Sequence, residues 1–177
     1  MAVLLRISCD YDPIEDRIKF SAESEDGITR ILWANHRLLG RLLPHLIQWL
    51  EQQSATVATN VRGAMPDHSG ESTAQLKMAQ ETAAARIRPQ EPVPASNMQP
   101  GLLIKEVDIK FSDQGAILIF KHDGGSDSLP MRHEQLRQWL LIMFRLWPQS
   151  EWPGEFWPDW IAGLGDQPGS EDKIGWH

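Results

Sequence analysis

The sequence predicts an α+β fold in which two βββα halves, residues 1–52 and 102–162, share one core. Three observations point there. Short runs of alternating apolar residues recur near both ends of the chain. A wide apolar stripe at helical spacing follows each set of runs. The stretch between them is rich in Pro, Ala and Gln and lacks aromatics. The expected architecture is an antiparallel sheet, or a sandwich, with two packed helices.

The elements follow in order. Val3, Leu5, Ile7, Cys9 and Tyr11 alternate with Leu4, Arg6, Ser8 and Asp10, the period of a half-buried strand. Asp12-Pro13 ends it. Ile18, Phe20 and Ala22 give a second strand, and Ser24-Glu25-Asp26-Gly27 a turn with Gly where φ is positive. Ile28–Trp33 is β-branched and aromatic enough for a third. Asn35 is placed to cap the helix that follows, whose apolar face runs Leu38, Leu39, Leu42, Leu43, Leu46, Ile47 and Leu50. Pro44 lacks the N–H that would reach Gly40, so a kink or break is expected there.

Residues 53–101 read as a flexible linker outside the core. A helix over 72–88 is the exception, since Ser72 and Gln75 have capping-box spacing and Leu76, Ala79, Ala83 and Ile87 form a narrow stripe. Alone, a helix of that length is marginal in water. Leu103, Val107, Ile109 and Phe111 then alternate, Asp113-Gln114-Gly115 turns the chain, and Ala116–Phe120 is an apolar strand. His122–Gly125 turns it again, and Leu129 and Met131 mark a short strand. Leu136, Trp139, Leu140, Met143, Phe144 and Trp147 make the last helix, which Pro148 stops. Phe156, Trp157 and Trp160 have the spacing of a short helical turn, and residues 163–177 read as a frayed tail.

A different grouping of the same elements, a β-sandwich head with an inserted helix-turn-helix, resembles the head domains of dimeric DNA-repair scaffolds. That resemblance lies in element order and implies no site residues.

Composition and motifs narrow the function. A net charge of −7 argues against non-specific binding to nucleic acid or anionic membrane. The single cysteine, Cys9, rules out an intrachain disulfide and a cysteine zinc site, and it sits between apolar neighbours, as a small buried hydrophobe would. No run is long and uncharged enough to span a membrane, and the N-terminus turns polar too early for a secretory signal, so a cytoplasmic protein is expected. Phosphate-binding loops, nucleophile elbows and His pairs at metal-ligand spacing are missing, so no cofactor, metal or catalytic residue is assigned.

The carboxylates Asp10, Asp12, Glu15 and Asp16 read as a solvated turn, and His133 with Glu134 as helix-start chemistry. The function expected is a non-enzymatic protein-interaction module: an adaptor, assembly factor or subunit of a larger complex. Its partner is another protein, a second copy, or both. Trp152, Phe156, Trp157, Trp160, Leu76 and Ile87 are the interface candidates. Two alternatives stand beside it. One is a nucleic-acid-associated scaffold using the basic segment 30–45, with Arg30, Arg37 and Arg41 as anion contacts. The other is a small enzyme combining the acidic turn with His122.

Overall fold

The computed structural model describes residues 1–61, 69–88, 91–94, 100–164 and 175–176. β1 (Ala2–Asp12), β2 (Arg17–Ser24) and β3 (Thr29–Asn35) form an antiparallel meander, and α1 (His36–Val61) follows at once. The alternation in the sequence sets the register from Ile7 onward, with Ile7, Cys9 and Tyr11 across from Ala22, Phe20 and Ile18. A register shift between Leu4 and Arg6 buries Leu4 and exposes Leu5, the reverse of the expected face. Gly27 closes the β2–β3 turn at φ 75°, a conformation that glycine adopts without strain. After α2 (Ser69–Ala85) come β4 (Leu102–Leu103) and a second meander, β5 (Glu106–Ser112), β6 (Gly115–His122) and β7 (Gly125–Arg132). α3 (His133–Leu146), a 3-10 turn over Trp147–Ser150, α4 (Asp159–Ala162) and β8 (Gly175–Trp176) complete the order.

The strands lie in the order β4-β3-β2-β1-β7-β6-β5, with β8 also on β1. The sheet curls until its two ends fall on one segment. β4 pairs in parallel with β3, the Ile104 N–H donates to the Trp33 carbonyl, and the next amide, Lys105, donates to the Lys121 carbonyl of β6. The sheet is mixed rather than antiparallel throughout, because β1 also runs parallel to β7 at Ala2–Asp127 and Val3–Ser128. The first and third strands of a meander point the same way. Here β1, the first strand of one meander, meets β7, the third of the other, in parallel, and β3 meets β4, the short strand that leads into β5, in parallel as well.

The core fills the inside of the curl. Phe20 and Phe120, from the middle strands of the two meanders, lie 6.0 Å apart, and Trp139 of α3 lies 6.2 Å from Phe20. α3 is buried on nearly all sides, from Leu136 through Met143, as a helix inside a core must be. The Arg132 N–H donates to the Gln135 side chain at its start, and Glu134 and Arg145 suit its two dipole ends.

A buried carboxylate clasps the β1–β7 seam. Asp127 Oδ1 accepts the Ala2 N–H at 3.3 Å, Oδ2 lies 3.0 Å from His122 Nε2, and Arg30 Nε approaches to 3.7 Å. The Gly124 N–H donates to His122 Nδ1 at 3.1 Å, which leaves Nε2 to carry the proton toward Asp127. One side chain thus ties together β1, β3, β6 and β7.

Several expectations are corrected. Of the kink or break expected at Pro44, the break is absent: α1 is continuous through it. A proline inside a helix costs about 3 kcal/mol. Leu39, Leu42 and Leu43 before it and Leu46, Ile47 and Leu50 after it are all buried, at roughly 1.5–3 kcal/mol each. Asn35 caps the helix as expected, its Oδ1 accepting the Leu38 N–H at 2.9 Å. The segment 53–101 is not external to the core. α1 extends into it, α2 covers 69–85 rather than 72–88, and Leu76, Ala83 and Val93 are buried. Residues 62–68, 89–90 and 95–99 lie outside the described residues. Near the C-terminus, α4 starts only after Pro158, so Trp160 is helical while Phe156 and Trp157 precede the helix. Of the tail, Gly175 and Trp176 pair with Ser8 and Ile7.

Two substitutions test this account. Asp127→Ala leaves the His122 ring and the Ala2 amide without their partner at the seam, while Arg30 keeps Asp26 and Ser24, and should cost about 1–3 kcal/mol in urea denaturation. Leu76→Ala should cost about 2–5 kcal/mol, whereas a residue in a linker outside the core would show almost no effect.

Candidate functional site: the groove between two helices

α2 lies on α3 because two glutamines clamp it there. Gln80 Nε2 donates to the Arg137 carbonyl at 2.9 Å, and Gln138 Nε2 donates back to the Ala83 carbonyl at 3.0 Å. Leu76, with Ala84 packed against the same core, supplies the apolar contact around them. Ala83 is in the last turn of α2, and its carbonyl accepts both the Arg86 N–H at 3.2 Å and the Gln138 side chain.

The clamp leaves a groove of about 440 Å³. Its α2 wall is Gln75, Met78, Ala79, Thr82 and Ala83, at i, i+3, i+4, i+7 and i+8, one face over two turns. Its α3 wall is His133, Glu134 and Arg137. The volume lies in the range of small-ligand and side-chain recognition sites.

Arg137 is the unusual member. Its residue exposure is 7%, and the guanidinium stands 5.4 Å from the ring centre of Trp160. The Trp160 indole N–H is fixed by Glu51 Oε1 of α1 at 3.1 Å. Arg137 Nη1 is buried without a hydrogen-bond partner among the described residues. Burial pushes the guanidinium down to about 10, so it stays charged at neutral pH. An unpartnered buried donor costs on the order of 1–3 kcal/mol.

His133 stacks on Trp49 at 5.1 Å and 7°, and its Nε2 is likewise buried without a partner among the described residues. Burial, then the Arg137 charge, holds its pKa below the usual histidine value, with Asp113 opposing. Glu134 is engaged by Arg86 at 2.8 Å on the rim. The groove therefore offers an apolar wall, a neutral imidazole and one unpaired cation.

No protein family, curated protein or solved structure matches the chain. The site is read from its own geometry.

The sequence-predicted residues fall as follows. Leu76 and Trp160 are buried, and Ile87 is half-buried. Trp152 packs on Tyr11, His36 and Trp147, with its indole N–H on Asp16 at 2.9 Å. Phe156 and Trp157 close over Trp147. These six candidates therefore sit in or against the core. Arg30 pairs with Asp26 at 2.9 Å and faces Asp127, while Arg37 and Arg41 are exposed on α1. Arg30 and Asn35 are separated by about 17 Å of β3, so the three arginines are not brought together.

The acidic turn and His122 are also apart. His122 is at the seam beside Ala2, and Asp10 lies about 26 Å farther along β1. Asp12 spends Oδ1 on the Ile14 and Glu15 amides, Asp16 accepts the Tyr11 hydroxyl, and Glu15 and Asp10 face Arg17 and Lys19. Burial above all pushes the Cys9 thiol up to about 12, with the Trp139 indole N–H opposing and Asp10 adding. Among the described residues, no three His, Cys, Asp or Glu side chains converge to hold a metal ion, and no helix is long and apolar enough to cross a membrane.

Sequence reading missed Gln80, Gln138 and Arg137 as site residues. The available signal was polar residues on faces that are otherwise apolar: Gln80 beside the Leu76 stripe, Arg137 and Gln138 between Leu136 and Trp139.

Two measurements test the site chemistry. Native protein at about pH 8 should leave Cys9 unlabelled by a disulfide reagent that reacts at once after denaturation. For His133 the folded pKa is depressed, so on acidification the unfolded chain binds the proton first. Stability is then lost as pH falls below the ordinary histidine value of about 6.5. His133→Phe keeps the stack on Trp49 and should lose less stability between about pH 7.5 and about pH 5.5, read by urea denaturation.

Proposed function

We propose that the chain is a non-enzymatic protein-interaction module, an adaptor, assembly factor or subunit of a larger complex, which receives an amphipathic helix of a partner protein in the α2–α3 groove. Its scaffold is two βββα units sharing one core, β1–β2–β3–α1 and β5–β6–β7–α3, with α2 as the added element that makes the site. The observation that carries the reading is the groove itself. Its α2 wall runs over two helical turns, apolar at Met78, Ala79 and Ala83 and polar at Gln75 and Thr82, and Met78 there is 65% exposed. A two-turn wall is about 12 Å long, the footprint of i, i+3, i+4 and i+7 anchors on a docked helix. The unpaired Arg137 cation adds a charge for an acidic residue of that helix to complement.

Other function classes have less support. An enzyme would need a competent nucleophile or acid–base pair. The Cys9 thiol is protonated at neutral pH, and His122 and the acidic turn stand at opposite ends of β1. Nucleic-acid binding through the basic segment has only Arg37 and Arg41 projecting together.

A photo-crosslinking amino acid at position 78, in cells, tests the reading. The expected result is a discrete adduct with one other polypeptide, whose crosslinked peptide carries apolar residues at helical spacing beside an acidic one. The same label at Asp123, on the exposed β6–β7 turn, should give no such adduct. Intrachain products, self-adducts or equal labelling from both positions would overturn it.

A further inference from the structure

We infer that Arg137 is a carboxylate-binding residue: the groove recognises an acidic side chain carried beside apolar residues on the docked partner segment. The inference rests on the groove reading for what brings the carboxylate in, and on the local chemistry for the carboxylate itself.

The chemistry is set by what Arg137 lacks. A buried guanidinium is normally matched by a carboxylate, a phosphate or several carbonyls. Arg137 has none of these among the described residues. It has one aromatic face, from Trp160, and a position on the wall of an open groove. Trp160 holds one side of the guanidinium plane and is itself fixed by Glu51, so the fork is oriented before anything binds. The nearest carboxylate in the groove wall, Glu134, is engaged by Arg86.

The neighbours select the kind of anion. Met78, Ala79 and Ala83 on the facing wall suit an aliphatic body, the Thr82 hydroxyl beside them donates to the Met78 carbonyl, and Gln75 adds a neutral polar group. His133 is held toward its neutral form, so it adds no second positive charge. One unpaired cation in an apolar groove matches a singly charged carboxylate better than a phosphate, whose second charge would remain unpaired away from water. Nη1 is buried in the free protein, so the entering carboxylate meets it only once the guanidinium turns toward the groove, and the fork geometry then allows a two-pronged contact.

Sodium hexanoate, which joins a carboxylate to a short aliphatic body, is the probe. Hexanol and hexylamine share the body without the anion. In heteronuclear NMR of the full chain, hexanoate should produce saturable shifts in the Arg137 Nε–H and Trp160 indole N–H signals, and it should bind about tenfold more tightly than hexanol. Arg137→Met, which removes an unpaired buried charge and should fold at least as stably, is expected to bind hexanoate no better than hexanol. Equal binding of hexanoate and hexanol by the unaltered protein, or no shift at either signal, would overturn the inference whatever the variant does.

The two readings fail separately. If the position-78 adduct forms but hexanoate neither binds nor weakens it, docking stands and carboxylate recognition falls. If hexanoate binds through Arg137 while the groove yields no partner adduct, Arg137 is a carboxylate site and the docked helix is the error. In that case the acid is a free small molecule.

Discussion

Residues 102–112 hydrogen-bond to two strands that stand near opposite ends of the sheet order, and that double attachment organises the rest of the molecule. Ile104 is held by β3 and Lys105 by β6, one residue apart. An open sheet would leave both faces to be covered separately. A sheet closed this way has an inside, and whatever lies there is cut off from water. α3 follows directly from β7 and is apolar almost all round, which is tolerable only for a helix with a core on every side. At the other seam the pairing is equally short, and there a buried Asp127 reaches four strands at once.

That closure also explains why the candidate site lies where it does. The curled sheet and α3 together bury the large aromatics, so the remaining irregularity is at the side where α2 is laid on. α2 carries too little apolar surface to hold itself, and two reciprocal glutamine bonds complete its attachment. Directional hydrogen bonds fix one arrangement where apolar contact alone would allow sliding. The cost appears in the clamp and next to it: Gln80 Oε1, Arg137 Nη1 and His133 Nε2 are buried without a partner among the described residues. A groove whose polar atoms are unsatisfied in the free protein gains when an occupant satisfies them.

Much of the fold was legible in the sequence because alternation and helical spacing are local signals. Val3–Tyr11, Ile18–Ala22 and Ala116–Phe120 gave strands by period, and the Leu136–Trp147 stripe gave a helix. What stayed hidden depended on distant partners. The parallel seams join residues more than sixty positions apart, and nothing in Ala2 or Leu102 announces them. Pro44 pointed to a break that the packing of its leucine neighbours overrides. α2 has a weak stripe, and its place in the core depends on Gln80 and Gln138, whose partners are backbone carbonyls of another helix. The site was less legible still. Arg137 in an apolar run was visible, but only its surroundings show that it lacks a counter-charge. Trp152, Phe156 and Trp157, named as interface candidates for their composition, close an end of the core around Trp147.

Amide hydrogen exchange tests the closed sheet most directly. The Ile104 and Lys105 amides bridge the two ends of the strand order, so they should exchange only through global unfolding, as slowly as those of Phe20 and Phe120 in the middle strands. Protection at Ile104 and Lys105 many-fold below that of the middle strands would mean that the curl opens independently. The single shared interior on which the fold and the groove both depend would then be contradicted.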